Sequence, residues 1–476
     1  MPNKVLFGAA GVTSILPLTM AALVVAVLAT LFFPRKYIFV PMVMISLLIP
    51  VGQVWMVGSF HFSVTRILLA AAWARVLIQR GKEGRDAKIR MNGIDKAIIG
   101  YALVSILTYS LQWEQSAAFF AQVGKSFTTL GLYFFFRFCI RGQEDVERAI
   151  RTLMVVASVV GILMINEQVT GRNVLSIFGG VPEFTAMRTG YLRSQGPFEV
   201  YLTAGAFGAS LLPLFLSMWK RNGAHLLAGV GLCAAVAITV TSKTSTATSA
   251  LAGALAAMAL WFVRDNMQLV RWGIVTLLTG LHLVMKAPVW SLIQRVDLVG
   301  GSTGWHRFKI VDNCIRNFFE WWLVGNHNYM NREGGGDDMW DLANQYVLTA
   351  ETFGLLSLIF FVATLVYAFK YLGRARLAAG SDTAKAWFLW LVGATLFANM
   401  VAFMGISYFD QTEVYWYLFM AIVVAATAPV IAGETVPEPV RSSRAEFEET
   451  WPDFELGANG ITAREGAAGA FSLYGE

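Results

Sequence analysis

The sequence is short of charge and nearly without cysteine. Asp, Glu, Lys and Arg make up only 14% of its 476 residues, where a soluble chain carries about 25%. A soluble fold of this length needs a polar surface that these residues cannot supply, which excludes a soluble enzyme. The 56% hydrophobic fraction likewise excludes a disordered chain. There are three cysteines, Cys139, Cys233 and Cys314, and at least two lie in apolar runs. That excludes a secreted disulfide scaffold and argues against a zinc site. No internal repeat is visible, so an inverted-repeat transporter has no support in the sequence.

What is present is a succession of apolar runs long enough to cross ~30 Å of hydrocarbon. They fall near 13–33, 38–56, 62–78, 94–113, 116–138, 148–166, 199–218, 224–241, 247–263, 268–285, 346–369, 386–405 and 413–431. The fold expected is all-α, a polytopic membrane bundle of about 12–13 helices over 1–431. Residues 432–476 read as an acidic, mostly disordered tail, with nine acids and three Arg from Glu434 onward. The whole chain is +6. Without the −6 of that tail the membrane body is +12, which orientation explains better than nucleic-acid binding. Arg80, Lys82, Arg85, Lys88 and Arg90, then Arg137 and Arg141, Lys220 and Arg221, Arg264, and Lys370, Arg374 and Arg376 fall on one side of alternating crossings. That side is assigned to the cytoplasm, together with the tail.

Two long loops remain on the outer side, about 167–198 and 286–345. Loops beyond ~12–15 residues are usually functional or disordered. The second carries Trp290, Trp305, Trp321, Trp322 and Trp340, which suggests short amphipathic helices over a cavity. Outer loops should be poor in cations. Yet Arg172, Arg188 and Arg193 lie in the first, Arg295, Arg307, Lys309 and Arg316 in the second, and Lys243 in the short turn "TSKTST". They either pair with acids and head groups or form a basin for an anionic lipid diphosphate, for which an Arg fork is well shaped. "GSTGWHRFKI" supplies Trp305, His306 and Arg307, and "WWLVGNHNY" supplies Gly325. "GGGDDMWDLANQYVLTAETFGLLSLIFF" places Asp341 four residues before Gln345, a spacing that shares one helix face. Asp341 reads either as a helix cap or as a base, with His306 the competing base. No metal site is expected from Asp337, Asp338 and Asp341 without a further spaced ligand set.

This arrangement resembles the O-antigen ligase and polymerase superfamily of integral-membrane glycosyltransferases. Motif agreement lies within about 190–365. "YLRSQGPFE" is similar to a periplasmic Arg followed by a new span, at Arg193. "TSKTST" looks like the family's Ser-Arg turn with Lys243 in place of Arg, and "GWHRF" supplies Arg307. Gly325 keeps part of a Gly-x-Gly stretch. Asn344, Tyr346, Glu351, Gly354, Leu355 and Leu356 agree with the run that follows, while the family histidine falls at Ala343. The resemblance implies an inverting transfer, without cofactor or metal, at the periplasmic face of the bacterial inner membrane. Arg193, Lys243 and Arg307 would hold an undecaprenyl-diphosphate donor, supported by Asn344, Gln345, Tyr346, Gly325 and Trp305, with Asp341 or His306 as catalytic base. The expected reaction is polymerisation of lipid-linked repeat units for exopolysaccharide or O-antigen. The alternatives are a ligase acting on a lipid or protein acceptor, a polytopic lipid-oligosaccharide transporter, or a non-catalytic scaffold. Expected partners are the lipid-linked donor and acceptor, the bilayer, and a flippase and chain-length regulator; nucleic acid is not among them.

Overall fold

The computed structural model describes residues 13–50, 52–57, 60–83, 90–188, 190–221, 223–295, 304–328, 342–409 and 411–433, all within one compact unit. The tail from Glu434 onward therefore lies outside the described residues. Helix dominates. In chain order the helices are α1 Pro17–Phe32, α2 Phe39–Leu48, α3 Val64–Glu83, α4 Gly93–Trp113, α5 Ser116–Cys139, α6 Gln143–Thr170, α7 Tyr201–Leu216 and α8 His225–Thr241. They continue with α9 Ser245–Ala259, α10 Met267–Val284, α11 Gly304–Arg316, α12 Phe318–Trp321, α13 Gln345–Ala378, α14 Thr383–Ala402, α15 Gln411–Ala426 and α16 Ala428–Ala432. Strands are short. β1 Thr13–Ser14 pairs parallel with β2 Gln53–Val57, which pairs antiparallel with β3 Phe60–Ser63; β4 Ala186–Arg188 and β5 Tyr191–Arg193 form a hairpin.

Most expected spans coincide with helices. At ~1.5 Å per residue, ~20 residues are needed to cross hydrocarbon. Five helices are long and apolar enough to do so: Gly93–Trp113, Gln143–Thr170, Ser245–Val284, Gln345–Ala378 and Thr383–Ala402, the third running through a kink at Val263. The run expected at 38–56 behaves differently. Only Phe39–Leu48 is helical, because Pro50 and Gly52 break the chain before β2. Inside the bundle, α15 is buried at every position from Gln411 to Ala426 except Glu413. A helix apolar all round belongs in such a core. At the other extreme, α10 has no buried residue, and its Leu269 and Val284 are 74% and 85% exposed.

The basic segments meet at one end of the bundle. Arg148 donates to the Lys36 carbonyl at 3.2 Å and pairs with Asp145 at 2.6 Å. Arg221 pairs with Glu147 and Arg376 with Asp265. At the start of α4, buried Asp95 accepts from the Tyr133 hydroxyl at 2.5 Å and lies 3.6 Å from Arg137. The same carboxylate closes a capping box with Asn92, so one acid fixes the start of α4 and its contact with α5.

α13 is not one rod. Gly354 has φ 81° and ψ 175°, so the helix breaks there. Tyr346 packs on Phe361 with ring centroids 5.7 Å apart, and both pack on Phe403. In a straight helix those fifteen residues would be ~22 Å apart. The segment Gln345–Phe353 therefore folds back beside the rest of α13, and Gln345 and the residue before it, Asn344, are buried. The freed backbone groups at the break find partners. Leu355 N donates to Trp322 O at 2.8 Å, and Glu351 O accepts from Asn326 N at 2.6 Å. Only glycine fits at the contact, since a Cβ on Gly325 would lie 2.7 Å from Glu351 O and one on Gly354 would lie 2.6 Å from Leu323 O.

Candidate functional site

Arg193 closes the β4–β5 hairpin. The turn after it is held by Glu167 near the end of α6, whose carboxylate accepts from the backbone of Gln195 and Gly196, the latter at 2.8 Å. Ser194 N donates to Thr241 O at 3.1 Å, which ties the hairpin to the end of α8. Arg193 is thereby buried, with its guanidinium over the Tyr201 ring at 5.2 Å and its Nε without a hydrogen-bond partner.

Lys243 sits in the tight turn between α8 and α9. Its φ of 45° is left-handed, a conformation that costs a non-glycine residue ~1–2 kcal/mol. Thr244 next to it caps α9 by accepting from Ala247 N. Gly205 of α7 lets the turn approach, since any Cβ there would overlap Ser242 and Ala247. The Lys243 ammonium lies 4.8 Å from the Tyr191 ring, on the hairpin that carries Arg193.

Arg307 reaches the same turn from α11. Its Nη2 donates to Thr246 Oγ1 at 2.7 Å, and Thr246 donates in turn to Gly405 O at 3.1 Å. Its Nε is buried without a partner, and burial pushes the guanidinium pKa down from its usual value. Among the described residues none of Arg193, Lys243 and Arg307 forms an ion pair with an acid. Three cations around one turn repel one another, and a bound anion would offset that cost.

The other expected site residues divide. Asn344 accepts from Tyr346 N and Val347 N and so caps α13, the role that Asp341 was a candidate for. Asp341, with Asp337 and Asp338, lies outside the described residues. The expected helix face shared by Asp341 and Gln345 therefore falls outside them too, and residues 342–344, which are described, are not helical. Gln345 N donates to Phe403 O, and its Oε1 accepts from Tyr408 N at 2.7 Å. The Tyr346 hydroxyl donates to Met400 O. These residues and Gly325 hold the folded-back segment in place. His306 is half-buried on α11, whereas Trp305 is exposed with Lys309 over its ring at 5.0 Å. Short helices do cross the 286–345 loop, as its tryptophans suggested: a 3-10 turn at Val289–Arg295, then α11 and α12.

One feature was missed. A cavity of about 50 Å³ lies within the bundle among α4, α5, α13 and α15, lined by Tyr101, Gln122, Lys125, Gln345, Tyr408 and Glu413. The signal for it was available, because single ionisable residues inside apolar runs such as Lys125 are costly and therefore informative. Together with Arg66 of α3, which donates to Thr128, they show that the bundle interior is not free of charge. Among the described residues no group of three or more His, Cys, Asp or Glu is placed to hold a metal ion.

No protein-family model matches the chain, and no curated protein is significantly similar to it.

Proposed function

We propose that the chain is a polytopic membrane glycosyltransferase that polymerises undecaprenyl-diphosphate-linked repeat units at the periplasmic face of the bacterial inner membrane. The observation that carries this reading is the gathering of Arg193, Lys243 and Arg307 around the 241–246 turn, with two guanidinium Nε atoms buried and unpartnered. A diphosphate leaving group gains negative charge as its bond to the sugar breaks. Preorganised cations at that point stabilise the transition state more than the ground state. The exposed apolar helices supply the lateral contact that a lipid-linked donor requires. In this reading the cytoplasmic end is the one with the Arg148, Arg221 and Arg376 pairs, and the C-terminal tail lies on that side. A flippase and a chain-length regulator would act beside it.

Deletion in the native host, followed by analysis of lipid-linked intermediates, tests the reading. Single repeat units accumulating on the outer leaflet point to polymerisation, and long chains retained on the carrier point to the ligase alternative. Complementation with Arg193→Ala or Arg307→Ala should leave protein in the membrane and lower polymer ~10²–10³-fold, the usual loss for one such donor. Wild-type polymer length in both variants removes the donor site. A transporter is the second reading, favoured by the broken α13 and by Lys125 and Glu413 inside the bundle. It requires single units to remain on the inner leaflet after deletion.

A further inference from the structure

The cavity joins the cation turn through one short segment. Gly405 O accepts from Thr246, which holds Arg307, while Phe403 O accepts from Gln345 N at the cavity wall. Glu413 enters the cavity from the first turn of α15, the one position in that helix that is not buried. Neither Glu413 nor Lys125 is held in a hydrogen bond or ion pair among the described residues, and Lys125 and Arg66 act on the carboxylate only electrostatically. The carboxylate is therefore available to a ligand. Gln122, Gln345 and Tyr408 add polar groups, and Tyr101 and Trp416 add aromatic walls. Carboxylate, amide and aromatic ring together suit a sugar, whose hydroxyls are polar and whose C–H faces are not. The volume limits what enters. One water needs ~10–15 Å³ of such space, so about 50 Å³ holds a few water-sized groups and admits a hydroxyl-bearing edge rather than a whole ring.

We infer that Glu413 is the base that activates the acceptor hydroxyl, and that the cavity seats that hydroxyl. The inference rests on the glycosyltransferase reading above, and it answers the gap that reading leaves at Ala343. Ala343, the position without a histidine, lies two residues before Gln345, which lines the cavity that contains a carboxylate. In the step, the acceptor O–H bond breaks and its proton passes to a Glu413 oxygen. The oxygen's electron pair forms the bond to the anomeric carbon. The bond from that carbon to the diphosphate breaks, and its pair leaves on the lipid diphosphate. Lys125 would offset the carboxylate charge before the proton arrives.

The test uses the full chain in a host lacking its own copy, reading polymer, lipid-linked single units, membrane abundance and melting temperature. Glu413→Gln should lower polymer at least ~100-fold with single units accumulating and the melting temperature unchanged, since a positioned base contributes ~10²–10⁴. If Glu413→Gln is lost from the membrane, Glu413→Asp serves instead. It keeps the charge and withdraws it by one methylene, so a tenfold or greater loss supports the inference and unchanged polymer overturns it. Wild-type polymer from Glu413→Gln, with Arg193→Ala inactive, overturns Glu413 as base and leaves the reading standing. So does an inactive Asp341→Asn or His306→Ala beside an active Glu413→Gln. If deletion of the chain alters neither polymer nor lipid-linked units, the reading falls and the inference with it.

Discussion

Replacing Gly354 by alanine should unfasten the folded-back segment of α13. Its φ of 81° and ψ of 175° belong to a region open essentially to glycine, and an alanine there is strained by ~1–3 kcal/mol. The added Cβ would stand 2.6 Å from Leu323 O and 2.9 Å from its carbonyl carbon. These are backbone atoms and cannot rotate aside. Relief requires the 322–326 segment to move off α13, which gives up the bonds Leu355 N to Trp322 O and Asn326 N to Glu351 O. At ~0.5–1.5 kcal/mol each, these bring the total to about 2–6 kcal/mol. Gly273→Ala is the matched control, because Gly273 is inside α10 with nothing within 4 Å of its added Cβ. Removing a helix-interior glycine should stabilise by ~0.5–1 kcal/mol. The assay is SDS titration of detergent-solubilised protein, followed by tryptophan fluorescence. A Gly354→Ala midpoint equal to that of wild type would falsify the assignment of the break as a glycine-dependent contact.

Three smaller perturbations probe the same framework. Asp95→Ala leaves Arg137 and Asn92 without their shared acid, and should cost ~3–5 kcal/mol in the same titration; a change below about 1 kcal/mol would show that Asp95 is not a buried anchor. Thr244→Ala removes the α9 cap for ~1 kcal/mol, measured as a lowered melting temperature, and an unchanged melt argues against the cap. Thr246→Val deprives Arg307 of its hydroxyl partner while keeping shape, so polymer yield in complemented cells should fall between wild type and Arg307→Ala. Yield equal to wild type would mean that Thr246 does not orient the guanidinium.

Helices were legible because apolar runs of membrane length have few other solutions. Interrupted apolar runs were less legible, as at Pro50 and Gly52, since composition averages over a break that backbone geometry cannot ignore. The reversal at Gly354 was hidden too, because apolar residues on both sides fit one long helix equally well. Arg193, Lys243 and Arg307 stood out because alternating crossings assign them to the side where cations are not expected. Their approach to one turn was not visible, since it depends on Glu167 clamping 195–196 and on Thr246 meeting α11. Asn344, Gln345 and Tyr346 were singled out as supports of the chemistry. Their side chains are spent on capping and on tying α13 to the 400–408 segment. Lys125 and Glu413 did not stand out, because each is a lone charge in an otherwise apolar run. Only the fold brings residues of α5 and α15 to one cavity.

The short segment 403–405 makes the two polar regions mechanically dependent. Met404 O and Phe403 O receive Asn344 and Gln345 from the folded-back segment, and Gly405 O receives Thr246 from the cation turn. A Cβ on Gly405 would lie 2.7 Å from Thr246 Oγ1, so neither side can move far without the other. The left-handed Lys243 and the broken α13 each hold a conformation that costs stability. Both persist because neighbouring contacts over-determine them, a pattern that clusters at functional sites. An anion settling among Arg193, Lys243 and Arg307 would remove like-charge repulsion at the turn and tighten Thr246 on Gly405. That force passes directly to the residues that set the cavity wall at Gln345. Occupancy of the cation turn would then bear on the shape of the polar cavity through three backbone carbonyls.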